Sequence, residues 1–123
     1  MRTNRTILLI EDKTNLSDTL RTLLEMHDFT VLLAENGEEG LRQARLNRPD
    51  LVISDIYMPV MNGYELLDTF QSDSTLRQIP VLMLTAKTGM EEVNKAMKKG
   101  AAGYVTKPFL FKKLHAVIRK ILF

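Results

Sequence analysis

TILLIEDKTN, Thr6–Asn15, sets four apolar residues directly against two adjacent carboxylates. Ile7 to Ile10 is too short for a helix and has no polar face, so it reads as a strand covered on both sides. Glu11 and Asp12 then end it on a double negative charge, which calls for a chemical reason at the strand's carboxyl end.

Working outward, four more runs of the same kind follow: Phe29 to Ala34, Leu51 to Ser54, Val81 to Leu84 and Gly103 to Val105. Between them the period changes from continuous to helical. Leu16, Leu20, Leu23 and Leu24 share one helix face, and Leu110, Leu114, Val117, Ile118 and Ile121 share another. Asn36 with Glu39, Asn62 with Glu65, and Thr88 with Glu91 each set a capping side chain three residues before a glutamate, marking three further helix starts. Gly100 reads as the stop of the fourth helix. Strand and helix alternate five times, which means a parallel sheet with right-handed crossovers and helices on both faces. The expected fold is a doubly wound α/β domain. Five strands suit the order 2-1-3-4-5, with five helices, better than a six-stranded dinucleotide fold, and no G-x-G-x-x-G follows the first strand.

Size and composition narrow the function classes. With 123 residues, 45% of them hydrophobic, the chain is expected to form one domain over residues 1–123. Its 17 basic and 15 acidic residues leave a formal charge of +2, and the basic ones are scattered rather than gathered into a stripe for nucleic acid. The absence of cysteine removes disulfides and thiolate ligands and suits a reducing cytoplasm. No apolar run reaches the roughly 18 residues of a membrane span, and Met1 to Arg5 leads straight into a strand rather than a signal sequence.

In a sheet of this order, ligands bind outside the carboxyl ends of the strands where the order reverses. Glu11 and Asp12 follow the first strand, Asp55 the third, Thr85 and Ala86 the fourth, and Thr106, Lys107 and Pro108 the fifth. Three carboxylates, one hydroxyl and one ammonium therefore meet at one edge. Carboxylates crowded together repel unless a cation sits among them, and Lys107 is one charge against three. Magnesium fits, because it takes oxygen ligands and keeps positions for water or phosphate oxygens. Asp55 can then act as a nucleophile toward phosphorus, with the ion, Lys107 and Thr85 neutralising the transferred oxygens. Each residue alone has an ordinary explanation as a cap or a solvated charge; their convergence is the signal. His27 and His115 read as structural, with His115 on a solvated helix face and neither having a metal-like partner at helical spacing.

ILLIED, PDLVISDIYMPVMNGYELL, IPVLMLTA and GAAGYVTKPF together resemble the receiver domain of bacterial two-component response regulators, in order and spacing across essentially the whole chain. The resemblance implies a flavodoxin-like fold in which Asp55 accepts phosphate from a phosphohistidine on a sensor histidine kinase or phosphotransfer protein. It implies that Glu11, Asp12, Asp55 and the backbone carbonyl of Tyr57 hold Mg2+, and that Thr85, Ala86 and Lys107 contact the phosphoryl group. It further implies that Tyr104 changes rotamer with Thr85, that the Lys107–Pro108 peptide is cis, and that Tyr57 and Lys87 flank the approach of hydrolytic water. The fourth helix, fifth strand and fifth helix would then signal to an output domain or target protein, with homodimerisation as one possible outcome. Glu11 stands where aspartate is commoner, a longer arm toward the metal. Two other readings compete. An aspartyl-phosphate phosphatase needs a general-acid aspartate two residues after its nucleophile, where this chain has Tyr57. An interaction module that is never phosphorylated needs a broken pocket, and the key positions are intact.

Overall fold

The computed structural model describes residues 4–123. Its elements run β1 (Arg5–Ile10), α1 (Thr14–Met26), β2 (Phe29–Ala34), α2 (Gly37–Asn47), β3 (Leu51–Ser54), α3 (Gly63–Ser72), a 3₁₀ turn (Leu76–Gln78), β4 (Val81–Thr85), α4 (Met90–Lys98), β5 (Gly103–Thr106) and α5 (Phe111–Leu122). All strands are parallel, in the order β2-β1-β3-β4-β5. The doubly wound, five-stranded arrangement expected from the sequence is the one observed.

Alternation within β1 explains why its run is apolar throughout. Leu8 and Ile10 enter one core with Val52, Ile56, Leu67, Phe70 and Met83. Ile7 and Leu9 enter the other with Leu20, Leu24, Ile53, Leu82, Leu114 and Ile118. Successive side chains point to opposite faces, and both faces carry helices. Burying each such side chain contributes roughly 1.5–3 kcal/mol, so the two cores fix the sheet and leave its carboxyl edge free for polar residues.

Two of the three expected helix caps form. The Asn36 side chain accepts the Glu39 amide, and Asn62 with Glu65 makes a reciprocal capping box. The third does not. The N-cap of α4 is Gly89, with no side-chain hydrogen bond, which puts Glu91 one position too early in the helix to reach back. Gly100, at φ +100°, turns the chain out of α4 in a backbone region that a side chain would strain.

Candidate functional site

Register brings the strand ends level. Ile10 pairs with Ser54, Ser54 with Met83, and Thr85 with Thr106, so the residues that follow open onto one edge at the β1/β3 switch point. Gly63 sets the loop after β3 close beneath α3: its amide donates to the Ile56 carbonyl at 2.6 Å, and a Cβ there would stand 2.6 Å from the Asp55 carbonyl oxygen and 2.8 Å from Ile56 Cα. Only glycine allows that approach.

The centre of the site is a single ammonium shared by two carboxylates. Lys107 Nζ donates to Glu11 Oε1 at 2.9 Å and to Asp55 Oδ2 at 3.0 Å. The side chains of Lys107, Glu11 and Asp55 are 16%, 5% and 14% exposed, so the pairing is shielded rather than solvated. Asp55 Oδ1 accepts the Ile56 amide at 2.6 Å and the Tyr57 amide at 3.3 Å. The Lys107–Pro108 peptide is cis.

These surroundings divide the two carboxylates. Burial pushes the Asp55 carboxyl upward, but the Lys107 ammonium, the Thr85 hydroxyl and the Tyr57 amide outweigh it and hold Asp55 below the usual aspartate range. For Glu11 burial wins over Lys107, with help from neighbouring Asp12 and from Asp55, and the carboxyl lies above the usual glutamate range. Lys107 is desolvated, yet its two acidic partners hold its proton more tightly than usual. Asp55 is therefore the more readily ionised carboxylate of the pair.

The site also fits a hard cation by its donor chemistry. Among the described residues no three acidic or histidine side chains stand ready-made at metal-ligand spacing. Glu11 and Asp55 are nevertheless two shielded oxygen donors with one ammonium between them, and Asp12 beside them is exposed, so the edge carries an excess of negative charge that a divalent ion would offset.

Thr85 and Tyr104 meet on one backbone unit. Thr85, 1% exposed, accepts the Lys87 amide on its hydroxyl at 3.4 Å. Tyr104 donates its hydroxyl to the Lys87 carbonyl at 2.7 Å. The Lys87 ammonium lies 4.9 Å from the centre of the Tyr57 ring. Ala86 and Lys87 are exposed at the mouth of the site.

Sequence reasoning missed one group here. Tyr57 and Tyr64 both donate to Glu92 Oε2, the former at 3.5 Å. No local spacing signals a link between residues this far apart in sequence. His115 is half-buried rather than on a solvated face, its ring 4.6 Å from that of His27 and stacked on Phe111 at 5.6 Å. The α1–α5 contact, invisible to helical spacing, brings them together. A surface groove of about 980 Å3, lined by Leu41, Arg42, Arg45, Leu46 and Val60 along α2, lies apart from this chemistry.

Residues 7–119 match the family described as response regulator receiver domain. Histidine kinase P4 of Formosa agariphila is 38% identical over 95% of this chain, which is 8% of that protein. The cell cycle response regulator CtrA of Brucella ovis is 32% identical over 93% of this chain and 50% of its own length. The chain thus spans about half the length of the curated relatives it matches, or less. Among solved structures, the chemotaxis protein CheY4 of Vibrio cholerae superposes with a TM-score of 0.91 at 31% identity, covering 98% of this chain and all of that one.

Proposed function

We propose that this chain, which belongs to the response regulator receiver domain family, is a phosphoacceptor switch in which Asp55 takes a phosphoryl group from a phosphohistidine donor. The observation that carries the reading is the Lys107 ammonium bridging Asp55 and Glu11 across the ends of β1, β3 and β5. An ionised Asp55 oxygen attacks phosphorus, the bond from phosphorus to the donor's imidazole nitrogen breaks, and an acyl phosphate forms while the imidazole leaves. Lys107, freed from one carboxylate partner, pairs with the incoming phosphoryl oxygens, and the Thr85 hydroxyl and the backbone at Ala86 contact them from β4. Glu11, Asp12, Asp55 and the Tyr57 carbonyl would hold Mg2+, which supplies charge neutralisation on the transferred oxygens.

The switch follows from the clamp on Lys87. A phosphoryl group that draws the Thr85 hydroxyl toward itself takes that hydroxyl from the Lys87 amide. The β4–α4 loop loosens, Tyr104 releases the Lys87 carbonyl, and its ring turns into the space behind Thr85. The α4, β5 and α5 surface then changes shape. That face exposes Met90, Met97 and Leu110 and carries a hollow bordered by Tyr104, Phe109, Leu110 and Val117, a surface suited to an output domain, a target protein or a second copy of the chain. No helix among the described residues is long and apolar enough to cross a membrane, which agrees with action in the cytoplasm; direct nucleic-acid contact by this chain forms no part of the proposal. Titrating beryllofluoride with Mg2+ and following backbone amide shifts tests the reading: shifts at Asp55, at Thr85 and through α4 and β5 are expected, and a chain whose spectrum does not change would refute it.

A further inference from the structure

Helix α4 is weakly anchored by burial. Its only buried residue is Ala96, whereas α3 buries Gly63, Tyr64, Leu66, Leu67 and Phe70. One methyl group gives little apolar area to hold a nine-residue helix against the sheet. The polar contacts of its first two turns therefore weigh more than usual in fixing its position.

Those contacts converge on Glu92. One of its carboxylate oxygens accepts the hydroxyl of Tyr64, which is 7% exposed, and that of Tyr57, which is 52% exposed. One turn later, Lys95 lies 4.2 Å from the centre of the Tyr64 ring. Burial and the neighbouring Glu92 carboxylate push the Tyr64 hydroxyl well above the usual tyrosine range, so it remains a donor. A charged acceptor makes such bonds stronger than neutral ones. Glu92 thus ties the start of α4 both to α3 and to the loop that carries Asp55, through a ring that stands two residues from the acceptor.

We propose that Glu92 is a positioning residue for the exchange at Asp55: by holding Tyr57 and Tyr64 it pins α4 in the unphosphorylated arrangement and keeps the Tyr57 ring at the rim of the acceptor. This rests on the phosphoacceptor reading above. A phosphoryl group at Asp55 attracts the Lys87 ammonium away from the Tyr57 ring and unclamps the Lys87 backbone. Glu92 is then the polar tether at the start of α4, as the Lys99–Asp68 pair is at its end, and its strength sets how far the equilibrium moves.

The test uses Glu92→Ala, Tyr64→Phe and the double variant, with two readouts. The first is hydrogen exchange of α4 amides in the unmodified chain without Mg2+ or phosphate. Exchange is expected to quicken in each single variant, and the double variant should go no further than Glu92→Ala, because Glu92→Ala already removes the one bond that Tyr64→Phe breaks. Unchanged exchange in Glu92→Ala, or fully additive effects in the double variant, would overturn the tether. The second readout is beryllofluoride affinity with Mg2+, expected to tighten about fivefold in Glu92→Ala, the low end of usual coupling between sites. Faster exchange with unchanged affinity would leave α4 tethered but overturn the positioning role. A parent chain that binds no beryllofluoride would instead overturn the phosphoacceptor reading, and the exchange data would judge the tether separately.

Discussion

Lys107 Nζ stands 3.0 Å from Asp55 Oδ2 and donates at the same time to Glu11, so removing one ammonium leaves two shielded carboxylates without their shared partner. Lys107→Met is expected to lower stability at neutral pH by about 2 kcal/mol, less than the loss for a fully buried pair because the group keeps some exposure. The sign with pH follows from the shifts. Asp55, held low, contributes stability that is present above its ordinary pKa and lost as pH falls through its folded value. Lys107, held high, contributes stability present below its ordinary pKa and lost as pH rises through its folded value. Glu11, held high, costs stability when ionised, and that cost fades as pH falls through its folded value. In Lys107→Met both carboxylates resist ionisation more strongly, so the deficit should shrink from neutral pH into mild acid. Thermal melts across that window check this; a deficit that does not change with pH would contradict it.

Tyr104 offers a second handle. Tyr104→Phe keeps the ring and removes the hydrogen bond to the Lys87 carbonyl, which is expected to cost the resting state about 1 kcal/mol. If the phosphorylated arrangement does not use that bond, beryllofluoride affinity should rise roughly fivefold. The chain has no tryptophan and three tyrosines, at positions 57, 64 and 104, so tyrosine emission reads this edge alone and serves as the titration signal. Weaker binding would show that the hydroxyl serves the activated state instead.

The rim residues bear on how long the phosphate lasts. Tyr57 and Lys87 pack on each other and offer no carboxylate or amide to orient an attacking water. Tyr57→Asn combined with Lys87→Glu is expected to hydrolyse the acyl phosphate about tenfold faster, below what an optimally placed acid–base group contributes. Measuring phosphate release after removal of the donor checks it; an unchanged half-life would sink the flanking role.

Magnesium dependence tests the acidic pair. Without a cation, an incoming dianion meets Glu11, Asp12 and Asp55 with one ammonium among them. Labelling by acetyl phosphate should fail in EDTA and fall severely in Asp12→Ala, an exposed substitution that should leave the melting temperature nearly unchanged. Equal labelling with and without the ion would contradict the proposed donor set.

The fold was legible wherever one element carried its own pattern. Phe29 to Ala34 and Leu51 to Ser54 have the observed bounds as strands, because an acidic residue stands immediately before and after each run, Asp28 and Glu35 for the first and Asp50 and Asp55 for the second. Asn62 and Glu65 marked a helix start because a capping box is local chemistry. Asp55, Lys107 and Glu11 could be grouped from sequence because sheet order turns strand ends into neighbours. What depends on packing between distant elements was hidden: the Glu92 link to two tyrosines, the His27–His115 contact, and the start of α4, where Gly89 rather than Thr88 is the N-cap.

Asp55 as phosphoacceptor is the claim on which the rest depends, and peptide mapping after exposure to acetyl phosphate and Mg2+ tests it most directly. One added phosphate on the intact chain, located at Asp55 and absent in Asp55→Asn, is the predicted result. A phosphate that persists in Asp55→Asn, or that maps to Glu11 or Asp12, would contradict it.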